Sequence, residues 1–187
     1  MNSEIILIGP PRTGKSTVGK IFADTLGVKQ VSLDDERWDY YKEIGYDQDL
    51  AKLIRKTGGF VALVFYWKQF DAYAVERVLA DHSECIFDFG AGHSVYESQE
   101  LFTRIQKVLE PYQNVVLILP SSDEKESIRI LNERTSDLVG AYGQGFNWNE
   151  YFIQHPSNYL LAKHIVYTQG KTPQETSSEI LNLLKSN

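Results

Sequence analysis

The chain has 187 residues, 42% of them hydrophobic and 12% aromatic, enough to bury the core of one domain. A formal charge of −6 disfavours a nucleic-acid backbone or an anionic membrane surface as the main partner. A single cysteine, Cys85, excludes an internal disulfide and a multi-cysteine zinc site.

Ser3 and Glu4 lead directly into the first apolar run, so no signal peptide is expected. Residues 4–9 (EIILIG) read as a buried parallel strand, and residues 15–26 as a helix with apolar spacing at Val18, Ile21, Phe22 and Leu26, closed by Gly27. A weaker strand at 29–33 precedes helix over 34–55, interrupted near Gly45. A turn at 57–59 separates this from an aromatic-rich helix over 60–80. The longest apolar run, residues 60–67, is broken by Lys68 and is too short to span a bilayer. A reducing cytoplasm is the expected compartment.

Residues 84–89 predict another buried strand, with Cys85 as a small core residue, closed by Gly90-Ala91-Gly92. Helix 98–109, strand 114–119 and helix 123–138, with Ser122 as its cap, follow. Residues 140–145 carry Gly140, Gly143 and Gly145 without apolar periodicity and predict a mobile segment. Helix 149–163, strand 164–168 and helix 173–184 complete the chain. Strands alternating with helices predict a single α/β domain over 1–187, its parallel sheet covered on both faces.

Gly9 to Thr17 reads GPPRTGKST and matches G-x-x-x-x-G-K-[ST] in full, between a strand and a helix. Gly9 and Gly14 let the loop through Pro10, Pro11, Arg12 and Thr13 turn so that the N–H groups of its non-proline residues face one anion. Lys15, expected to stand exposed on this loop, can reach the β- and γ-phosphates, and the Ser16 hydroxyl can ligate magnesium. Helix 15–26 adds its positive end. The pattern predicts a nucleoside triphosphate, ATP with Mg2+. A second metal-holding acid is expected at a strand's carboxyl end, where Asp88 stands. Asp34 and Asp35 close the second strand and are rivals or partners for that role; one of them serves as a helix cap.

The whole chain resembles the shikimate kinase group of P-loop small-molecule kinases. GPPRTGKSTVGKIFADTLG is similar to that family's P-loop and first helix, SLDDE to its acidic motif, and FDFGAGHSV to its strand and triple-glycine turn. ERTSD falls at its lid arginine, and HPSNYLLAKHIVYT resembles its last helix and strand. The resemblance implies a P-loop NTPase three-layer sandwich with a five-stranded parallel sheet, a helical substrate-binding region at about 34–82 and a glycine-rich lid at about 134–148. By position it makes Arg134 the lid arginine on the transferring phosphate and puts Arg129 near the adenine. Lys68 and His155 align with the two arginines that hold the family's substrate carboxylate. Gly90, Ala91 and Gly92 take the place of the substrate-facing triple glycine. Snorkelling and helix-end roles compete for Lys68 and His155, as a solvated helix arginine does for Arg129. The aromatics between Trp38 and Tyr73 are either core or the lining of a pocket for a larger or less anionic acceptor.

These features predict an ATP-dependent kinase acting on a hydroxyl of a small molecule, with Asp34 or Asp35 orienting that hydroxyl or taking its proton. Nucleoside, sugar-acid or antibiotic kinases are the neighbouring alternatives, and a slow nucleotide switch is a third class. ILPSSDEK after the fourth predicted strand offers no N-K-x-D base-reading tetrapeptide, and no basic run points to nucleic acid.

Overall fold

The computed structural model of the protein describes residues 4–142 and 145–185. Four-residue apolar runs form its strands: β1 (Ile5–Ile8) and β3 (Cys85–Asp88) are buried throughout, as is the five-residue β4 (Val115–Leu119). With β2 (Lys29–Ser32) and β5 (His164–Tyr167) they make one five-stranded sheet, ordered β2-β3-β1-β4-β5 and parallel at every pairing.

Strand residues alternate between the two faces and so create two cores. Ile5 and Leu7 pack with Ile86, Val116 and Ile118 against Phe22 of α1 (Lys15–Leu26) and Ile180 of α9 (Pro173–Lys185). Ile6 and Ile8, with Phe87 and Leu117, face α3 (Gln48–Asp81), α4 (Gln99–Leu109) and α8 (Pro156–Leu161). Each fully buried side chain of this size contributes about 1.5–3 kcal/mol.

The strand order places β1 between β3 and β4, so the loop after β1 emerges at the middle of the sheet's carboxyl edge, where such sheets bind ligands. Gly9 is required there. Its φ is +132°, and a Cβ would stand 2.6 Å from the Ile118 carbonyl oxygen.

Several predicted boundaries shift for local reasons. Helix 34–55 is interrupted as expected, α2 (Leu33–Glu43) ending before Gly45 and α3 starting after the Asp47 cap. The turn at 57–59 contracts to one residue: Gly59 alone leaves helical dihedrals (φ +73°, ψ −171°), and α3 runs on through a kink. The helix expected over 123–138 is α5 (Glu124–Arg134), and its cap is Asp123 rather than Ser122, because the Asp123 carboxylate accepts from Glu126 N at 2.9 Å. A 3-10 turn at Ser136–Leu138 follows, after the Thr135 hydroxyl donates to the Leu131 carbonyl. The single helix expected over 149–163 is two, α7 (Trp148–Gln154) and α8. Pro156 forces His155 out of helical ψ to +124°. Within the glycine-rich segment a short α6 (Val139–Tyr142) forms, while Gly143 lies outside the described residues, as does Ser3. No helix among the described residues is long and apolar enough to cross a membrane.

Candidate phosphoryl-transfer site

The loop from Gly9 to Ser16 wraps around the start of α1. Arg12 and Gly14 both take positive φ, +59° and +99°, which turns the intervening backbone inward. Lys15 does not stand exposed as its loop position suggested. It is 7% exposed, and its ammonium donates to the carbonyls of Gly9 (2.9 Å) and Pro10 (2.8 Å). Burial pushes its pKa down, opposed by the charges of Asp88 and Asp34. The Thr13 hydroxyl ties the loop from within by donating to the Pro10 carbonyl at 3.1 Å.

Asp88 ends β3 beside Leu7 of β1, which brings its carboxylate to this loop. Burial raises its pKa, while Lys15 and a hydrogen bond from Ser16 lower it. Ser16 and Asp88 therefore meet, as the metal reading requires. No group of three His, Cys, Asp or Glu among the described residues could hold a metal alone. A magnesium ion on a nucleotide needs only one or two protein carboxylates, with phosphates and water supplying the rest, so this hard-oxygen pair fits it.

The acidic pair divides. Asp34 lies directly against Gly90, where a Cβ would come within 2.2 Å of the carboxylate, and it lines a cavity of about 340 Å³. Both aspartates are exposed and sit in the first turn of α2 rather than at the end of β2, but Asp35 does not line that cavity. Arg37, one turn on, pairs with Asp34 at 3.5 Å and stacks over Trp38 and Trp67 at 4.5 and 5.2 Å.

Behind this wall lies a buried polar cluster that the sequence did not reveal. The Tyr41 hydroxyl donates to Asp71, and His93, fully buried, places Nε2 3.4 Å from Asp71 Oδ1 and Nδ1 4.0 Å from Asp34 Oδ1. Burial holds the His93 pKa below its usual range despite both carboxylates. Asp71 and Tyr41 stand 30 residues apart, so no local pattern could have joined them.

Lys68 is also in this cluster. Its ammonium donates to the Gly92 carbonyl at 2.8 Å and lies 3.7 Å from Asp71; its pKa is lowered by burial, with Asp71 opposing. His155 caps α8, its Nδ1 accepting from Ser157 N at 3.2 Å. Neither side chain lines the cavity, whereas Ala91 and Gly92 do.

Arg134 ends α5 over the loop, donating to the Arg12 carbonyl at 3.2 Å, and Arg12 itself reaches Asp137 at 2.8 Å. Arg129 is exposed and occupied on its own helix by Glu126 and Glu133. The remaining cavity wall is aromatic: Phe60 and Trp67 from α3, Tyr142 from α6, Trp148 and Phe152 from α7. Pro11 of the loop joins that wall, so the cavity opens beside the P-loop.

No protein-family model matches the chain. It is 24% identical over 188 residues to the shikimate kinase of Streptomyces coelicolor, spanning 97% of this chain and 95% of that protein. Among solved structures, shikimate kinase from Acinetobacter baumannii in complex with shikimate superposes with a TM-score of 0.68 at 20% identity, covering 98% of this chain and 93% of that one. The Aquifex aeolicus shikimate kinase gives 0.58 at 19% identity, covering 98% and 97%. The chain is shikimate kinase-like in sequence and has that P-loop fold.

Proposed function

We propose that the protein transfers the γ-phosphoryl group of ATP to a hydroxyl of a small molecule. The observation that carries this reading is the cavity shared between Pro11 of the phosphate loop and the Asp34 carboxylate. An acceptor lodged there would present its hydroxyl beside both. The similarity to shikimate kinases, which are kinases by name, supports the same class.

Phosphoryl transfer asks a protein mainly for positioning and charge neutralisation. The loop's N–H groups and the α1 N-terminus would hold the phosphates, with Lys15 exchanging its carbonyl partners for phosphate oxygens. Arg134 would follow α5 onto the transferring group. Ser16 and Asp88 would hold Mg2+, which when bound neutralises charge on the phosphates. Asp34 accepts the acceptor's proton as the new O–P bond forms and the bond from the γ-phosphorus to the bridging oxygen breaks, releasing ADP. Asp34 takes this role rather than Asp35 because only Asp34 faces the cavity.

ADP release measured with MgATP and a panel of hydroxyl compounds tests the proposal. Strong stimulation by at least one compound is expected. Slow release that no compound stimulates would instead mark a nucleotide switch and overturn it.

A further inference from the structure

We infer that the acceptor is a neutral alcohol built on a flat ring bearing nitrogen or carbonyl lone pairs, and not a carboxylic acid; this rests on the kinase reading of the same cavity. Three observations converge on it.

The first is shape. The cavity, at about 340 Å³, suits a compound of one or two rings. Its aromatic wall is assembled from three separate elements. Phe60 stacks on Tyr142 with centroids 5.0 Å apart and meets Trp148 and Trp67 edge-on at 5.3 and 6.0 Å. Rings presented in this way favour a flat, polarisable partner.

The second is charge. A carboxylate ligand needs a fixed cation, best a planar guanidinium. Lys68 is turned away onto Asp71 and the Gly92 carbonyl, and His155 is engaged as a helix cap. Arg37, a cation in the cavity wall, already pairs with Asp34. Asp34 and Asp71 both line the cavity and offset the charges of Arg37 and Lys68, so neither of those cations is free for a ligand carboxylate.

The third is the set of unmatched donors. Arg37 Nε and Trp148 Nε1 are buried N–H groups with no hydrogen-bond partner among the described residues, and both side chains line the cavity. A buried donor left unpaired is costly, so these two groups suit ring nitrogens or carbonyl oxygens of a ligand. Asp34 remains for its hydroxyl.

Calorimetry with the full chain separates the outcomes, using uridine, guanosine and pyridoxine against shikimate and gluconate, with phosphoryl transfer from MgATP followed in parallel. At least one ring alcohol is expected to bind at least tenfold tighter than either acid. Trp67→Leu should weaken that binding about three- to tenfold through loss of ring contact. Val64 of α3 also lines the cavity, so Val64→Phe, which puts a ring into that space, should abolish that binding while leaving ATP binding intact. Tighter binding of shikimate or gluconate, or no binding of any ring alcohol, overturns the inference. If shikimate is both bound and phosphorylated, the kinase reading stands and this inference falls. If ring alcohols bind but none of the panel is phosphorylated, the ligand class stands and the kinase reading falls.

Discussion

Lys15 and Asp34 meet opposite demands. The Lys15 ammonium is buried and tied to two loop carbonyls, so its removal takes little packing from the core but removes the charge that phosphates would meet. Lys15→Met should weaken ATP binding about tenfold to a hundredfold by calorimetry, the worth of one charge-assisted hydrogen bond. Asp34→Asn should lower kcat about 10²–10⁴-fold with little change in ATP affinity, as loss of a general base predicts. Asp35→Asn should stay within about twofold of wild type. Equal losses in steady-state kinetics for the two aspartates would contradict the division between them. The P-loop was legible in the sequence because its residues are consecutive and each answers a backbone or charge requirement. The choice between Asp34 and Asp35 was not legible, because adjacent residues on a helix differ only in the direction they face. In the folded chain Asp34 lies against Gly90 and lines the cavity, and Asp35 does not line it.

At the level of elements, α3 joins the fold to the aromatic cavity through its kink. Gly59 adopts φ +73° and ψ −171°, a region open essentially to glycine, and the next residue, Phe60, is the hub of the aromatic wall. Gly59→Ala should therefore destabilise the fold by about 1–3 kcal/mol, read by denaturant unfolding. It should also weaken acceptor binding by displacing Phe60. An unchanged midpoint would mean that the kink relaxes without cost. Strands and the helix after the P-loop were readable because short apolar runs and 3.6-residue spacing report burial directly. Breaks were read less well. Gly58 and Gly59 suggested a full turn where a single dihedral suffices, and Pro156 was passed over within an apolar stretch although it divides α7 from α8. Asp123 displaced Ser122 as a cap because the hydrogen bond runs to the amide three residues on, which Asp123 alone reaches in register.

Across the whole molecule, the P-loop and the aromatic cavity share one boundary. The chain between α5 and α7 touches both: Arg134 and Asp137 contact Arg12, and Tyr142 stacks on Phe60. The Arg12–Asp137 pair is half exposed at both ends, so it adds little by itself. Residues 135–142 should show low hydrogen-exchange protection in the free protein and higher protection with a non-hydrolysable ATP analogue, as a closing lid requires. Equal protection in both states would remove the lid from the account. The parallel sheet and its two-sided covering followed from alternating apolar strands and helices, whereas the order of the strands did not. The Asp71–Tyr41–His93 cluster did not, since it unites α2, α3 and the turn after β3 only once the chain has folded.

Phosphorus NMR of the protein turning over MgATP with a stimulating acceptor tests the central claim most directly. The account predicts a new phosphomonoester resonance growing in step with ADP, slowed about 10²–10⁴-fold by Asp34→Asn. Growth of inorganic phosphate in step with ADP, with no phosphorylated acceptor, would contradict it.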